Sequence, residues 1–265
     1  MLDACVNQAA GLSLIAAQNA TRVIAMASHG DQRDELPLLW SLCSTLVDFG
    51  YSVAVLDATT AESTHNPGLE QLLNEVHWSG HEGSDQMPWS VIPAAHGLAN
   101  LSRQALGADH ALHQLGELFP HHGILVIYAP TGVLVSLLPD SGLAPLLAVS
   151  SAQQSLVTAY QAIKQLLLDA KLRPTVASIM PFPVRNALDL SQAMSQRLRD
   201  CAMTYLGYQI DDLLVPAPQP DVPASDEMSR LSLRLLENAK PLFRGSSAGT
   251  WGNGFNVHDQ LLGSH

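Results

Sequence analysis

Residues 22–28 (RVIAMAS) form a short apolar, β-branched run without polar alternation, the pattern of a strand buried on both faces. A polar loop follows, Ser28-His29-Gly30-Asp31-Gln32-Arg33-Asp34-Glu35-Leu36, and then an apolar stretch (PLLWSLCSTLVDFG) at helical spacing. A second strand, Tyr51 to Leu56, ends on the acidic Asp57. The same alternation continues along the chain. Further strands are predicted at Met87–Pro93, Gly123–Tyr128, Leu146–Ser150, Pro174–Met180 and Asp211–Val215. Helices are predicted over about 100–118, 153–171, 189–206 and 225–239, with a helical island at Gly68–Leu73. Strands alternating with helices imply an α/β fold: a mostly parallel sheet of seven or eight strands with helices on both faces.

The strand–loop–helix–strand-Asp opening resembles that of the P-loop nucleotide hydrolases, in particular the MinD/ParA type of ATPase, whose loop reads S-G-K-G-G-V-G-K-T. On that pattern Ser28 matches, while the two lysine positions fall on Gly30 and Glu35. The glycine positions fall on His29, Asp31, Gln32 and Asp34, Arg33 takes the valine position, and the magnesium-binding threonine falls on Leu36. Such a loop works because glycines let backbone N–H groups curl around phosphates while a lysine offsets their charge. A unit-charge pair 4 Å apart is worth about 4 kcal/mol at an effective dielectric near 20. Glutamate in place of lysine therefore turns an attraction of that size into a repulsion, which Arg33 screens only in part. Leu36 offers magnesium no oxygen. Residues 29–35 are expected to form a polar turn, open or self-filled.

A second motif departs in the same direction. The segment from Gly123 to Gly132 resembles the family's second nucleotide-binding strand, D-T-P-A-G, in its apolar run and in Pro130 and Gly132. The metal-coordinating aspartate position, however, is Tyr128. Asp57 is retained at the end of the second strand, with Thr59 where the family has a second aspartate. The resemblance thus implies ATP and magnesium as ligands of active relatives, and these departures imply a pseudo-ATPase with no cofactor. The rival reading is a working ATPase whose charge compensation comes from Arg33 or a partner.

Other segments resemble the FlhG (FleN) branch, MinD-like regulators of flagellar number and placement. Asn7 to Ser13 (NQAAGLS) is similar to its D-Q-A-x-x-L-R motif, Ile92 to Gly97 to its I-P-A-x-x-G, Ser155 to Lys164 to its S-L-T-D-A-Y-A-L-I-K helix, and Leu206-Gly207 to its L-G. Gln8 and Leu12 survive from the first motif, four apart on one helix face, and are the candidate partner-binding residues. The resemblance implies protein partners: the signal-recognition-type GTPase FlhF, a flagellar C-ring protein or a flagellar transcription regulator. It implies a monomer or a constitutive homodimer, brought to the cell pole or inner membrane surface through a partner. A component of another envelope-assembly system stays open as an alternative.

Composition narrows the classes further. Lys plus Arg is 13 against 24 for Asp plus Glu, a net charge of −11, which disfavours nucleic acid and anionic lipid as direct ligands. Hydrophobic residues are 47% and charged residues 14%, as in a globular domain. With no apolar run of about 20 residues and no signal-peptide pattern, a soluble cytoplasmic protein is expected. The expected layout is an N-terminal helix over 1–20, the domain over 21–243 and a loose tail over 244–265. Cys5, Cys43 and Cys201 read as reduced packing residues, and Asp211-Asp212 as solvated charges. His77 with His81 and His121 with His122 lack a third ligand, so no metal site is expected. Catalytic residues are not expected.

Overall fold

The computed structural model describes residues 20–74, 89–181, 186–219 and 222–242. Gln8, Leu12, Cys5, His77, His81 and the segment from 244 onward lie outside these residues. Eight strands are present among the described residues: β1 (Arg22–Ser28), β2 (Val53–Asp57), β3 (Ser90–Pro93), β4 (Ile124–Pro130), β5 (Leu146–Val149), β6 (Thr175–Met180), β7 (Asp211–Pro216) and β8 (Lys240–Pro241). Seven of them form a parallel sheet in the order β3-β2-β4-β1-β5-β6-β7, and the short β8 pairs antiparallel with the start of β1.

Alternation in β1 supplies both cores. Val23, Ala25 and Ala27 pack on one face, and Ile24 and Met26 on the other. The second face is covered by α1 (Gln32–Asp48) through Leu38, Leu39, Leu42 and Leu46, and by α8 (Asp226–Glu237) through Met228, Leu231 and Leu235. The first face is covered by α2 (Leu69–Leu73), α3 (Ala95–Gln104), α4 (Ala108–Leu118), α5 (Thr131–Leu137), α6 (Gln153–Ala170) and α7 (Ala187–Leu206). Leu98, Leu115, Leu134, Ile163 and Leu198 are among their buried anchors.

Several expectations are corrected. The single helix over about 100–118 is two helices, because Gly107 takes φ +117 and Leu106 stands 94% exposed between them. The short α5 and β8 went unread; each is too brief to show a period. Asp211 and Asp212 are not simply solvated: Asp211 pairs with Arg234, and Asp212 accepts hydrogen bonds from Ser178 and Ser195. Cys43 is buried, with its thiol pushed up to about 12 by burial, whereas Cys201 is exposed and is not a packing residue. Asp226 and Glu227 occupy the first turn of α8, which Ser225 caps by accepting from the Met228 N–H.

The α2–α3 corner is packed to contact. A Cβ at Gly68 would lie 2.1 Å from the Pro93 carbonyl oxygen and 2.8 Å from Glu62 Cγ. Because the nearest obstacle is backbone, Gly68→Ala is expected to cost about 1–3 kcal/mol of overpacking strain, read by thermal or urea unfolding. A neutral result would show that β3 yields at its edge.

Candidate functional site

The β1–α1 loop lies at the carboxyl end of the central strand, where open parallel sheets place ligands. Gly30 turns it at φ +98, and α1 begins at Gln32, four residues before Leu36. The helix therefore absorbs part of what a glycine-rich loop would leave free. The Asp34 and Glu35 amides donate to the Asp31 carbonyl at 3.0 and 2.9 Å, so neither points at a ligand.

The remaining donors converge on one side chain. Glu35 is 0% exposed. Its Oε1 accepts from the amides of His29 (2.9 Å) and Asp31 (3.1 Å), and its Oε2 from Ser28 Oγ (2.7 Å) and the Tyr128 phenol (2.6 Å). Four donors use the lone pairs that a carboxylate offers. Glu35, at the lysine position, thus turns inward as an acceptor and does not face solvent as a repelling charge.

The surrounding groups hold this arrangement. Tyr128 is 0% exposed near the end of β4, and burial pushes its phenol well above its ordinary value, with the Glu35 hydrogen bond adding to the effect. It remains a hydroxyl donor. The His29 side chain is 2% exposed, and its Nε2 lies 2.6 Å from the Ala148 carbonyl oxygen and 3.5 Å from Glu35 Oε1. A carbonyl only accepts, so Nε2 carries the hydrogen. His29 Nδ1 meets Thr158 Oγ1 of α6 at 2.7 Å, and Asp31 Oδ2 accepts from Ser150 Oγ at 2.8 Å. The loop is thereby tied to β4, β5 and α6.

Asp57 is occupied locally. It accepts from the Thr59 amide (2.8 Å), Thr59 Oγ1 (2.6 Å) and Thr60 Oγ1 (2.7 Å), closing the turn after β2. Arg33 and Gln32 are exposed, Asp34 and Leu36 are half-buried, and neither Arg33 nor Asp34 enters the Glu35 cluster. The structure therefore brings together Ser28, His29, Asp31, Glu35 and Tyr128, sets Asp57 beside Tyr128 on the neighbouring strand with its carboxylate engaged by Thr59 and Thr60, and leaves Gln32, Arg33, Asp34 and Leu36 apart from them.

Sequence reasoning missed Glu62. It is 6% exposed, and its carboxylate accepts from the amides of His96 (2.7 Å), Gly97 (2.8 Å) and Glu70 (3.3 Å) at the starts of α3 and α2. The available signal was a negative one. The residues before those helices, Ala94 and Gly68, have no side-chain oxygen, so the first-turn amides need a cap from elsewhere. Among the described residues no cluster of three or more His, Cys, Asp or Glu could hold a metal, and no helix is long and apolar enough to cross a membrane.

The mostly parallel sheet with helices on both faces matches the fold of solved structures. A chain of the MinC:MinD cell division protein complex of Aquifex aeolicus aligns at 15% identity and TM-score 0.52, over 84% of this chain and 99% of that one. The fold is that of the MinD/ParA-type P-loop proteins. MinD of Aquifex aeolicus in a second structure gives 13% identity and TM-score 0.50, over 84% and 100% of the two chains. Cobyrinic acid a,c-diamide synthase from Mycobacterium smegmatis with bound ADP and magnesium gives 14% identity and TM-score 0.53, over 82% and 94%. No protein-family model and no curated protein matches the sequence.

Within this MinD-type fold the donor chemistry of the loop does not match a magnesium nucleotide. The amides of His29 and Asp31 and the Ser28 hydroxyl are spent on Glu35, Leu36 has no oxygen, and Tyr128 presents a donor. A phosphate entering this loop would meet a carboxylate already seated where it needs donors.

Proposed function

We propose that this chain is a non-catalytic, MinD/FlhG-like regulatory protein that acts through protein–protein contacts in flagellar biosynthesis or in the control of flagellar placement and number. The observation that carries the first part is the seating of Glu35, a carboxylate holding four donors of the loop at 2.6–3.1 Å. A switch driven by ATP needs a loop that is empty between cycles, and this loop carries its own acceptor. The flagellar part rests on the sequence resemblance to the FlhG branch in residues 7–13, 92–97 and 155–164. FlhF, a C-ring protein or a flagellar transcription regulator are the partners this reading brings forward, met by a monomer or constitutive homodimer at the pole or inner membrane surface.

Thermal unfolding with Mg-ATP and Mg-ADP tests the non-catalytic part. A ligand at 100 times its dissociation constant stabilises by about 2.7 kcal/mol, which for a domain of this size is about 5–11 °C. No shift is expected with either nucleotide. A shift of that size with either one, or recovery of nucleotide from the denatured protein, overturns the reading. A gene neighbourhood of partition or cellulose-synthesis functions would remove the flagellar assignment.

A further inference from the structure

We infer that Glu35 is an intramolecular ligand: its carboxylate occupies an oxyanion site built by the β1–α1 loop and holds that loop in shape without a bound anion. The inference rests on the non-catalytic reading above and deepens it, because it says why the loop keeps its shape without nucleotide.

Three features of the site point this way. First, the donors come from separate parts of the chain. Two are loop amides (His29 and Asp31), one is the hydroxyl ending β1 (Ser28), and one is the phenol of Tyr128, two residues before the end of β4 and 93 residues from Glu35. Amides from one loop and hydroxyls from two adjacent strand ends, all aimed at one anion, make an oxyanion cradle. Second, the acceptor does more than cap its helix. Glu35 in the first turn of α1 reaches back to the N-cap amide of Asp31, as a capping glutamate does, but it also takes the His29 amide two residues earlier and two hydroxyls from β1 and β4 that no helix cap requires. Third, the cradle is braced from outside. His29 links to the Ala148 carbonyl and Thr158, and Asp31 to Ser150, so the position of the carboxylate is transmitted to β5 and α6. In a loop filled by an exchangeable anion these braces would form and break with the ligand. Here the anion is covalently attached, so its effective concentration is fixed by the backbone.

The inference predicts chemical complementation. Glu35→Ala deletes a methylene and a carboxylate, the atoms of acetate. In the full-length Glu35→Ala protein, sodium acetate should raise Tm over sodium chloride of equal ionic strength. The expected rise is roughly 3–6 °C once acetate exceeds its dissociation constant about tenfold, and wild type should not respond. The amide proton resonances of His29 and Asp31 should move on substitution and return toward their wild-type positions with acetate. Where the alanine protein does not fold, Glu35→Gln serves: it keeps an oxygen for the two amides but removes the charge, so both resonances should shift upfield from wild type. A folded Glu35→Ala protein whose Tm and His29 and Asp31 resonances ignore acetate overturns the inference. So does an equal response in wild type, or unchanged amide resonances in Glu35→Gln. These failures are distinct from nucleotide binding by wild type, which would overturn the non-catalytic reading itself.

Discussion

Glu35→Ala is expected to lower the stability of the domain by about 3–5 kcal/mol, or roughly 6–20 °C in Tm. The size follows from what the substitution leaves behind. Two amides at the start of α1 and two hydroxyls lose their shared acceptor; Glu35 and Tyr128 are 0% exposed and Ser28 is buried, while His29 and Asp31 are half-buried. An unsatisfied buried donor costs about 1–3 kcal/mol, and part of that is recoverable because Ser28 Oγ and the Tyr128 hydroxyl already lie 3.3 Å apart and can pair. The two amides have no such recourse. Tyr128→Phe removes one donor and leaves the carboxylate three, so it should cost less than Glu35→Ala. Differential scanning calorimetry of both variants decides the matter. A loss below about 1 kcal/mol for Glu35→Ala would mean that water replaces the carboxylate and that the seating of Glu35 contributes little.

Glu62→Ala is expected to cost about 2–4 kcal/mol, or roughly 4–16 °C in Tm, although Glu62 lies in a polar loop. Its carboxylate serves two helices at once, accepting from His96 and Gly97 at the start of α3 and from Glu70 in α2. Neither N-cap residue has a side-chain oxygen, and the one capping side chain of α2, Gln71, accepts from Gly68 rather than from Glu70, so the loss falls on the first-turn amides that Glu62 serves. Hydrogen exchange at His96 and Gly97 should accelerate in Glu62→Ala, with Glu62→Gln intermediate. Unchanged exchange at those two amides would show that the cap is dispensable.

These two carboxylates also mark where sequence reading stopped. The apolar runs of β1, β2, β4, β5 and β6 were legible because strands buried on both faces admit little besides small and β-branched residues, and the structure places them within a residue or two. The long amphipathic helices α6 and α7 were legible from their period. The break between α3 and α4 was not, because an apolar period runs through Ala105 and Ala108 and only the backbone divides it, turning extended at Ala105 and to positive φ at Gly107. Asp211 and Asp212 looked like charges at a strand end, and their partners, Arg234 and Ser178 with Ser195, come from elements distant in sequence.

By itself the sequence determined the α/β class, the parallel sheet and the departure of the β1–α1 loop from a phosphate-binding composition. All three follow from local patterning: which residues a two-sided strand tolerates, and which a phosphate loop needs. Tertiary structure alone decided what became of the charge at Glu35. As a residue in a chain it is an anion in the place of a cation, and local electrostatics reads it as repulsion. In the fold, Tyr128 arrives from β4 and Ser28 from β1, and the same anion becomes the acceptor that closes the loop. The sign of an electrostatic effect depends on which donors the sheet brings within 3 Å, and strand order sets that.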